Sequence, residues 1–496
     1  MRIIIVGSGI GGSGLGALIA KETPHEVYLF ERDVILGGRC GSYTKKDDKG
    51  RTWKFDIGCH IFSTCDKGPL GEIATRCGKV IDWSYTKDPG PRVNVMGMEL
   101  SGLAKSPKKQ KTKKGKKKKK NMTEYLRTIK IENTWQYDEI PLIDFLNEFY
   151  GPKKEAVLKL MYCMNAGVMF GTSPTETSTG EFLRCMADNY QKMSMGYPIG
   201  GTGVIPETYC DVIKENGGKV FIGKEGRVKR VIIEDNEVKG IEAGPDNEFF
   251  EADMVIANSD IKTTVFKLVG EKYFPKEYLE YIQNLKWGGQ VCSVKIGIDT
   301  IITKHKMLTY IPKVEKDSNL QQMLANPENI GKIDFGDQGV PEKTALLIVP
   351  ISNHDPALAP EGCQNIHAVT PTAFGTIIKW SKADEKKWEQ ACLNTFASLW
   401  PDIEDHIVLE EYISTSHLEA RFGKEGAGTG IAQSIDQVGK KRPSMISPIK
   451  GLYYCSGDAG GWGIGTELPA RAALELFEIF KTNNFSNEKI FSNITS

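Results

Sequence analysis

Two apolar runs separated by a glycine-rich turn occupy the first thirty-one residues. Arg2 to Val6 is an almost continuous apolar run, which is typical of a buried strand. A glycine-rich turn and a stretch of small residues to Lys21 follow it, and a second apolar run ends at Glu31. The order of strand, turn, helix, strand and acid predicts a βαβ unit that binds a dinucleotide, and the alternative is a glycine-rich turn without a ligand.

Each part of this unit has a physical role. Gly7 allows the tight turn, Gly9 lets a pyrophosphate approach the backbone, and Gly12 lets the helix pack closely on the strand. The start of the helix directs free N–H groups and a partial positive charge at the phosphates, while Glu31 can accept hydrogen bonds from a ribose. The cofactor contacts predicted here are Gly7, Ser8, Gly9, Ile10, Gly11, Gly12, Glu31 and Arg32.

Further along, the periodicity predicts alternating helices and strands. Helical patterns cover 141–165, 178–190, 204–216, 385–399 and 467–481. Strand patterns cover 92–95, 128–135, 219–222, 228–234, 238–243, 254–257, 291–299, 344–352, 408–415 and 451–458. We expect 92–95 and 128–135 to form a hairpin, and the strands after 290 to form a mixed, mainly antiparallel sheet.

Composition adds one unusual segment to an ordinary globular chain. The 496 residues are 40% hydrophobic and 26% charged, with a formal net charge of +1. Between Lys105 and Lys120 there are eleven lysines, which predict a disordered insertion. One interpretation is a solvated loop, and the other is an electrostatic tether to anionic lipid. Nucleic-acid binding is not expected, because no aromatic residues accompany the lysines.

Cysteine usage and hydropathy bear on the location of the protein. Eleven scattered cysteines without a CxxC pair predict reduced thiols, with neither a disulfide framework nor a metal site. No stretch has the 18 or so consecutive apolar residues of a membrane-spanning helix. We therefore expect a cytoplasmic protein, with peripheral membrane contact if the lysines act as a tether.

Two motifs follow the first unit. Leu36 to Ser42 reads LGGRCGS, in which two glycines precede an arginine that suits a phosphate. Phe55 to Phe62 reads FDIGCHIF and is either an edge strand or a segment beside a ligand ring. Together with GSGIGG and Glu31, these motifs resemble the FAD-dependent amine oxidase and phytoene desaturase superfamily.

The resemblance implies FAD as the cofactor and extends the set of contacts. It implies that Arg39 lies by the pyrophosphate, that Val228 contacts the adenine through its backbone, and that Asp458 binds the ribityl chain. The glycine-rich turn after Asp458 would then face the flavin edge where negative charge accumulates on reduction. The residues added on this basis are Gly38, Arg39, Gly58, Cys59, His60, Val228, Gly457, Asp458, Gly463, Ile464, Gly465 and Thr466.

The resemblance also implies an α/β fold with two interleaved domains. One is a Rossmann-like FAD-binding domain, and the other is an α+β substrate domain with a mixed sheet and helices. The FAD-binding domain is expected at 1–84, 196–260 and 431–496, and the substrate domain at 85–195 and 261–430.

The preferred function is an oxidoreductase acting on carbon–carbon bonds of an isoprenoid or another apolar lipid, by hydride transfer to or from flavin N5. Such a reaction requires no acid–base dyad, and none is evident. His60 is the one weak candidate for a proton-handling residue, against packing or flavin contact. The alternatives are a flavin amine oxidase or protoporphyrinogen oxidase, and a non-enzymatic prenyl-binding protein of the GDP-dissociation inhibitor type.

Overall fold

Strands and helices alternate along the chain. The computed structural model describes residues 1–58, 61–87, 90–99, 121–313 and 339–495. In this part of the chain the strands are β1 (Arg2–Val6), β2 (Glu26–Glu31), β3 (Ser42–Lys46), β4 (Thr52–Asp56), β5 (Trp83–Tyr85), β6 (Arg92–Val95), β7 (Met98–Glu99), β8 (Gly196–Pro198), β9 (Lys219–Ile222), β10 (Val228–Glu234), β11 (Glu237–Ala243), β12 (Glu248–Glu251), β13 (Met254–Ala257), β14 (Gln290–Ile298), β15 (Leu308–Ile311), β16 (Leu346–Pro350), β17 (Gln364–Ala373), β18 (Ile407–Ile413) and β19 (Leu452–Tyr454). The α-helices are α1 (Ile10–Glu22), α2 (Pro69–Arg76), α3 (Met122–Thr128), α4 (Leu142–Tyr150), α5 (Ala156–Phe170), α6 (Thr179–Lys192), α7 (Val204–Glu215), α8 (Ile261–Thr263), α9 (Lys276–Asn284), α10 (Lys382–Leu399), α11 (Thr415–Phe422), α12 (Glu467–Thr482) and α13 (Asn487–Thr495).

A parallel five-stranded sheet forms the larger core. Its strand order is β19–β13–β1–β2–β9, so strands from both ends of the chain are separated by only one neighbour. In β1, Ile3 is in register with Met254 of β13 and with Val27 of β2. All three strands are almost completely buried, which explains their continuous apolar sequences.

Helix α1 packs tightly on this sheet and contacts α7 and α12. Residues 10–20 are all buried, because glycine and alanine allow a close approach. A Cβ atom at Gly12 would lie 2.4 Å from the Gly7 carbonyl oxygen, and one at Gly16 would lie 2.7 Å from Ile5 Cδ1. The small residues therefore fix the distance between helix and sheet.

A mixed seven-stranded sheet forms the second core, as the sequence pattern predicts. Its order is β18–β14–β17–β16–β15–β6–β7, and all pairs except β15–β6 are antiparallel. A separate three-stranded antiparallel sheet is formed by β10, β11 and β12. The predicted fold class, a Rossmann-like domain combined with a mixed sheet and helices, is confirmed.

Two predictions about elements are wrong, the strand at 128–135 with its hairpin and the single helix at 141–165, and a central strand is missing from the prediction. The segment 128–135 is not a strand, because α3 ends at Thr128 and 3₁₀ turns follow at Ile131–Asn133 and Trp135–Tyr137. Strand β6 pairs instead with β7 and β15, so the predicted hairpin does not form. The helix predicted for 141–165 is two helices, since Gly151 with a φ of 95° ends α4.

The third error is the omission of β17, a central strand of the second sheet. Pro371 within it argues against a strand, since proline has no N–H to donate. In the structure Pro371 pairs with Val291 next to an irregularity in the register of β14.

The described part of the chain also allows its helices to be compared with the length of a membrane span and its cysteines to be checked for disulfides. None of its helices combines enough length and apolar character to cross a bilayer. Its cysteines are free thiols, and all of them are buried. The lysine-rich segment 105–120 lies outside the described residues.

Candidate dinucleotide site

The glycine turn between β1 and α1 has the features of an anion-binding site. Gly7 has a φ of 106°, which a residue with a side chain rarely adopts. A Cβ atom at Gly9 would lie 2.5 Å from Asn258 Oδ1, so a side chain there would require a shift. Helix α1 has no acidic residue in its first turn and no side-chain cap, which leaves its N-terminus available to phosphate. Ile10, Gly11 and Gly12 form this first turn.

Glu31 ties the turn to the end of β2. Its Oε2 accepts hydrogen bonds from Ser8 N (2.9 Å) and Ser8 Oγ (2.7 Å), and its Oε1 accepts one from Asp33 N (2.8 Å). The Ser8 hydroxyl in turn accepts from Gly37 N at 2.8 Å. Since a carboxylate can accept about four hydrogen bonds, Glu31 retains capacity for a ribose hydroxyl.

Arg39 lies next to the turn but directs its guanidinium elsewhere. Gly38, with a φ of 56°, faces Gly9, and a Cβ atom on Gly38 would lie 4.0 Å from the Gly9 Cα. Arg39 Nη1 donates to the carbonyl oxygens of Gly428 (2.7 Å) and Thr429 (2.9 Å). The pyrophosphate contact that the resemblance implies for Arg39 remains a prediction.

The second motif continues from Arg39, and its backbone is described only in part. Gly58 N donates to the Arg39 carbonyl at 3.0 Å, which places FDIG beside LGGR. Cys59 and His60 lie outside the described residues, so their flavin contacts and the role of His60 stay predictions.

The carboxy-terminal motif reaches the same place as the glycine turn. Cys455 Sγ lies 3.3 Å from the Gly11 carbonyl oxygen, and Asn258 Nδ2 donates to the Cys455 carbonyl at 2.5 Å. Added Cβ atoms at Gly457 and Gly465 would meet nothing within 4 Å, so open space borders both backbones. The two ends of the chain therefore meet, and the region between Glu31, the turn at 7–12 and the turn at 457–466 is here called the groove.

Two buried carboxylates, those of Glu181 and Glu467, fix the position of the glycine-rich turn at 457–466. Glu181 of α6 accepts from Gly463 N at 3.0 Å. Glu467, whose pKa is raised by burial, accepts from Ser63 N (2.9 Å) and Thr64 N (2.8 Å) and so ties the FDIGCHIF region to this turn. Ile464 packs on the hydrophobic core around α5, and Thr466 directly precedes α12.

Asp458 is fully buried and has a partner that the sequence did not reveal. The ammonium of Lys424 lies 3.0 Å from Oδ1 and 3.1 Å from Oδ2. Oδ2 also accepts from Ile261 N and Oδ1 from Ile431 N, each at 3.2 Å. Burial raises the pKa of Asp458, but Lys424, with its charge and hydrogen bonds, outweighs burial and lowers the pKa overall.

Residues 421–431, here called the strap, run along the groove. At one end Arg421 forms an ion pair of 2.7 Å with Asp33, and Arg32 donates to the Arg421 carbonyl. In the middle the strap carbonyls receive Arg39, and Lys424 fixes it to Asp458. The strap thus contacts the neighbourhoods of Glu31, Arg39 and Asp458, of which Asp458 is far from the other two in sequence.

Val228 lies at the Glu31 end of the groove. It is the first residue of β10 and pairs with Ala243. The preceding Gly226 approaches β2 so closely that a Cβ atom on it would lie 2.2 Å from the Glu31 carbonyl oxygen. This position is compatible with the adenine contact that the resemblance implies, which remains a prediction.

The fold and this groove define a protein with a Rossmann-type dinucleotide site assembled from both ends of the chain. Residues 5–76 match the family model of the NAD(P)-binding Rossmann-like domain. The chain is 27% identical to an uncharacterised protein of Methanocaldococcus jannaschii, with 65% of this chain and 72% of that protein aligned. It is 22% identical to the zeta-carotene-forming phytoene desaturase of Myxococcus xanthus, with 94% and 92% aligned.

Solved structures share the fold. An oxidoreductase from Methanosarcina mazei superimposes with a TM-score of 0.68 at 19% identity, covering 96% of this chain and all of that one. Putrescine oxidase superimposes with a TM-score of 0.62 at 12% identity, covering 97% and 99%. These comparisons support the resemblance of the chain to the FAD-dependent amine oxidase and phytoene desaturase superfamily. The chain is an oxidoreductase, and its cofactor is FAD.

The groove fits this cofactor in two respects. The N-terminus of α1 has no side-chain cap and can receive a phosphate. The open space beside Gly457 can receive a ligand that a side chain there would displace. The enzymatic interpretations are therefore supported over the prenyl-binding one.

Proposed function

We propose that this FAD-dependent oxidoreductase introduces, removes or shifts carbon–carbon double bonds in an isoprenoid or another apolar lipid. When bound, FAD supplies the hydride acceptor or donor. The protein's own part is to bind the apolar chain, to orient the reacting carbon and to exclude water.

The observation that carries this proposal is a half-buried apolar strip on α5. The strip consists of Val157, Met161, Met164 and Val168. These residues recur every three or four positions and so share one face of the helix. Each is only partly buried, although α5 lies within a hydrophobic core. Partly covered apolar surface of this kind favours an apolar ligand, and methionine adapts to irregular ones.

The strip belongs to the same core as the glycine-rich turn. Trp462 and Ile464 of that turn pack on the cluster that also holds Met161 and Met164. An apolar substrate on the strip would therefore lie on the side of the molecule where the carboxy-terminal motif is found. This arrangement supports a lipid whose reacting carbon approaches the cofactor.

Trp462 also distinguishes this proposal from an amine oxidase. The Arg471 guanidinium carbon lies 3.7 Å from the centroid of the Trp462 ring, and Arg471 pairs with Asp188. A guanidinium on one face of the indole occupies a face that a substrate ammonium would otherwise use for a cation–π contact with this ring. The contact favours an uncharged substrate over an amine.

The test is anaerobic reduction of the FAD-loaded protein. Carotenoid or polyprenyl lipids in micelles, a porphyrinogen and a set of polyamines are added separately, and the flavin absorbance is followed. If double bonds are introduced, we expect a lipid to bleach the oxidised flavin bands and to lose two hydrogens in mass spectrometry. If they are removed, we expect a lipid to restore these bands in the reduced protein and to gain two hydrogens. If they are shifted, we expect a lipid product of unchanged mass with a displaced double bond. The proposal is contradicted if no lipid changes the flavin spectrum of the oxidised or the reduced protein and no lipid is converted, or if an amine or a porphyrinogen bleaches the flavin rapidly.

Matched variants connect the reaction to the strip. Met164→Lys introduces a charge on the strip and should abolish lipid turnover while FAD remains bound. Val80→Lys introduces the same charge at a valine that is 86% exposed and should have no effect. Equal lipid turnover in both variants would exclude the strip as the substrate surface.

A further inference from the structure

The carboxylate of Asp458 is already saturated with hydrogen bonds. It receives two contacts from the Lys424 ammonium and one from each of two backbone N–H groups, Ile261 and Ile431. A carboxylate offers about four acceptor sites, so none is left for a ribityl hydroxyl. The contact that the resemblance implies for Asp458 therefore requires a rearrangement, or another residue makes it.

Lys424 has the capacity that Asp458 lacks. An ammonium has three N–H donors, and Asp458 takes two of them. Trp287 lies with its ring centroid 5.6 Å from the ammonium, which adds a cation–π attraction but accepts no hydrogen bond. In the described residues the third donor has no acceptor, although the Lys424 side chain is only 8% exposed.

The backbone also holds Lys424 in an unusual conformation. Lys424 and Glu425 have φ values of 59° and 53°, the left-handed region that residues other than glycine seldom adopt. Glu425 is held there by Trp287 Nε1, which donates to its Oε1 at 3.1 Å, and by Gln290, which donates to its carbonyl. The strap is thus fixed in the shape that places the lysine on Asp458.

A second cation, Arg39, also contacts the strap. Arg39 binds the carbonyls of Gly428 and Thr429, and its charge acts on both Lys424 and Asp458. The open space at Gly457 adjoins Asp458 in the chain. Two cations and one open space border the same stretch of the groove, between the glycine turn and the carboxy-terminal turn.

We propose that Lys424 is a cofactor-binding residue, held by Asp458 so that its third N–H bonds to a ribityl or phosphate oxygen of FAD. Asp458 is then a positioning residue, which fixes the ammonium and does not itself contact the ribityl chain. The proposal rests on the assignment of FAD and is independent of the substrate.

The decisive measurement is the FAD affinity of Lys424→Met, determined by fluorescence titration of the apoprotein. Loss of a charged hydrogen bond should weaken binding about tenfold or more. Lys424→Arg keeps the cation and should retain most of the affinity. The matched control is Lys450→Met, which removes a lysine paired with Glu237 and Glu488 and should bind FAD as the wild type does.

Riboflavin and FMN, which are fragments of FAD, distinguish a hydrogen bond to a ribityl oxygen from one to a phosphate oxygen. If Lys424 bonds to the ribityl chain, the loss of affinity should be the same for riboflavin, FMN and FAD. If it bonds to a phosphate, riboflavin should be unaffected, and the losses for FMN and FAD should shrink at high salt. Either pattern supports the proposal.

Unchanged or tighter FAD binding by Lys424→Met would overturn the proposal, because the lysine would then be only a counter-ion that occupies the ribityl aspartate. Circular dichroism checks that the variant folds with Asp458 left without its cation. If it does not, the double variant Lys424→Met/Asp458→Asn removes both charges, and the expected loss of affinity is the same. If the wild-type protein does not bind FAD, the assignment of FAD itself fails. If the wild type binds FAD and Lys424→Met binds it equally well, only the proposal about Lys424 fails.

Discussion

Replacing Gly12 or Gly457 with alanine adds one methyl group at either position. We expect the two replacements to have opposite effects on stability and on FAD binding. At Gly12, an added Cβ atom would lie 2.4 Å from the Gly7 carbonyl oxygen, 2.8 Å from Asn258 Cβ and 3.0 Å from Ile5 Cγ2. At Gly457, an added Cβ atom would meet no protein atom within 4 Å. The two alanine variants therefore separate the packing role of these glycines from their ligand-binding role.

The expected magnitude at Gly12 follows from two opposing effects. Alanine stabilises a helix relative to glycine by about 1 kcal/mol. Crowding in a close-packed core costs about 1–3 kcal/mol, and contact with a backbone oxygen at this distance belongs at the upper end. We expect Gly12→Ala to lose about 2 kcal/mol of stability, or about 4–8 °C in Tm for a domain of this size.

Gly457→Ala should behave in the reverse way. Its stability without FAD should stay within about 0.5 kcal/mol of the wild type, because no protein atom is displaced. Its FAD affinity should fall about tenfold, since the methyl group takes up space that the ligand needs.

Differential scanning fluorimetry of the apoproteins and titration with FAD provide both measurements. A Gly12→Ala variant that melts at or above the wild-type temperature would refute the steric reasoning. Wild-type FAD affinity in Gly457→Ala would show that the open space beside it is not used by the cofactor.

Three further predictions test separate features. Glu31→Gln places a donor against the N–H groups of Ser8 or Asp33 and should cost about 1–3 kcal/mol of stability, measured by urea unfolding, and weaken FAD binding in titration. Burial lowers the pKa of His354 to about 4, so between about pH 6.5 and pH 4 the unfolded chain binds a proton that the folded chain does not bind. The free energy of unfolding should therefore be highest above pH 6.5 and should fall by about 3 kcal/mol as the pH drops to 4. Urea unfolding of His354→Gln should not show this loss. Deletion of 105–120 should abolish sedimentation with anionic liposomes at low salt if these lysines tether the protein, and unchanged sedimentation would exclude the tether.

The parts of the site that could be predicted from the sequence are those formed within one short segment of the chain. The glycine turn, the strand before it and Glu31 lie within one βαβ unit, so their spacing is visible along the chain. Ser178 likewise caps α6 within one short segment, since its side chain accepts from Glu181 N. Yet the Glu181 carboxylate does not complete a capping box, because the Ser178 N–H donates to the Gln433 carbonyl. Glu181 Oε1 accepts from Gly463 N and Glu181 Oε2 from Arg184 instead.

The parts that could not be predicted depend on contacts between distant segments. Arg39 meets the strap carbonyls across nearly the whole chain, and a lysine in a loop carries no sign of the aspartate it will contact. The missing strand β17 has the same origin: Pro371 forbids one ladder bond locally, while pairing with β14 and β16 supplies the rest.

The strap also explains why a recognisable cofactor motif does not by itself define its ligand contacts. Glu31 and Asp458 are both buried and both sit at the ends of parallel strands, so the pattern assigns them equivalent tasks. Glu31 keeps acceptor capacity because its partners are only backbone and hydroxyl groups of its own unit. Asp458 loses that capacity to an ammonium from a segment with no motif. Which of two matching carboxylates can accept from the cofactor is thus determined by the part of the chain that packs across the groove.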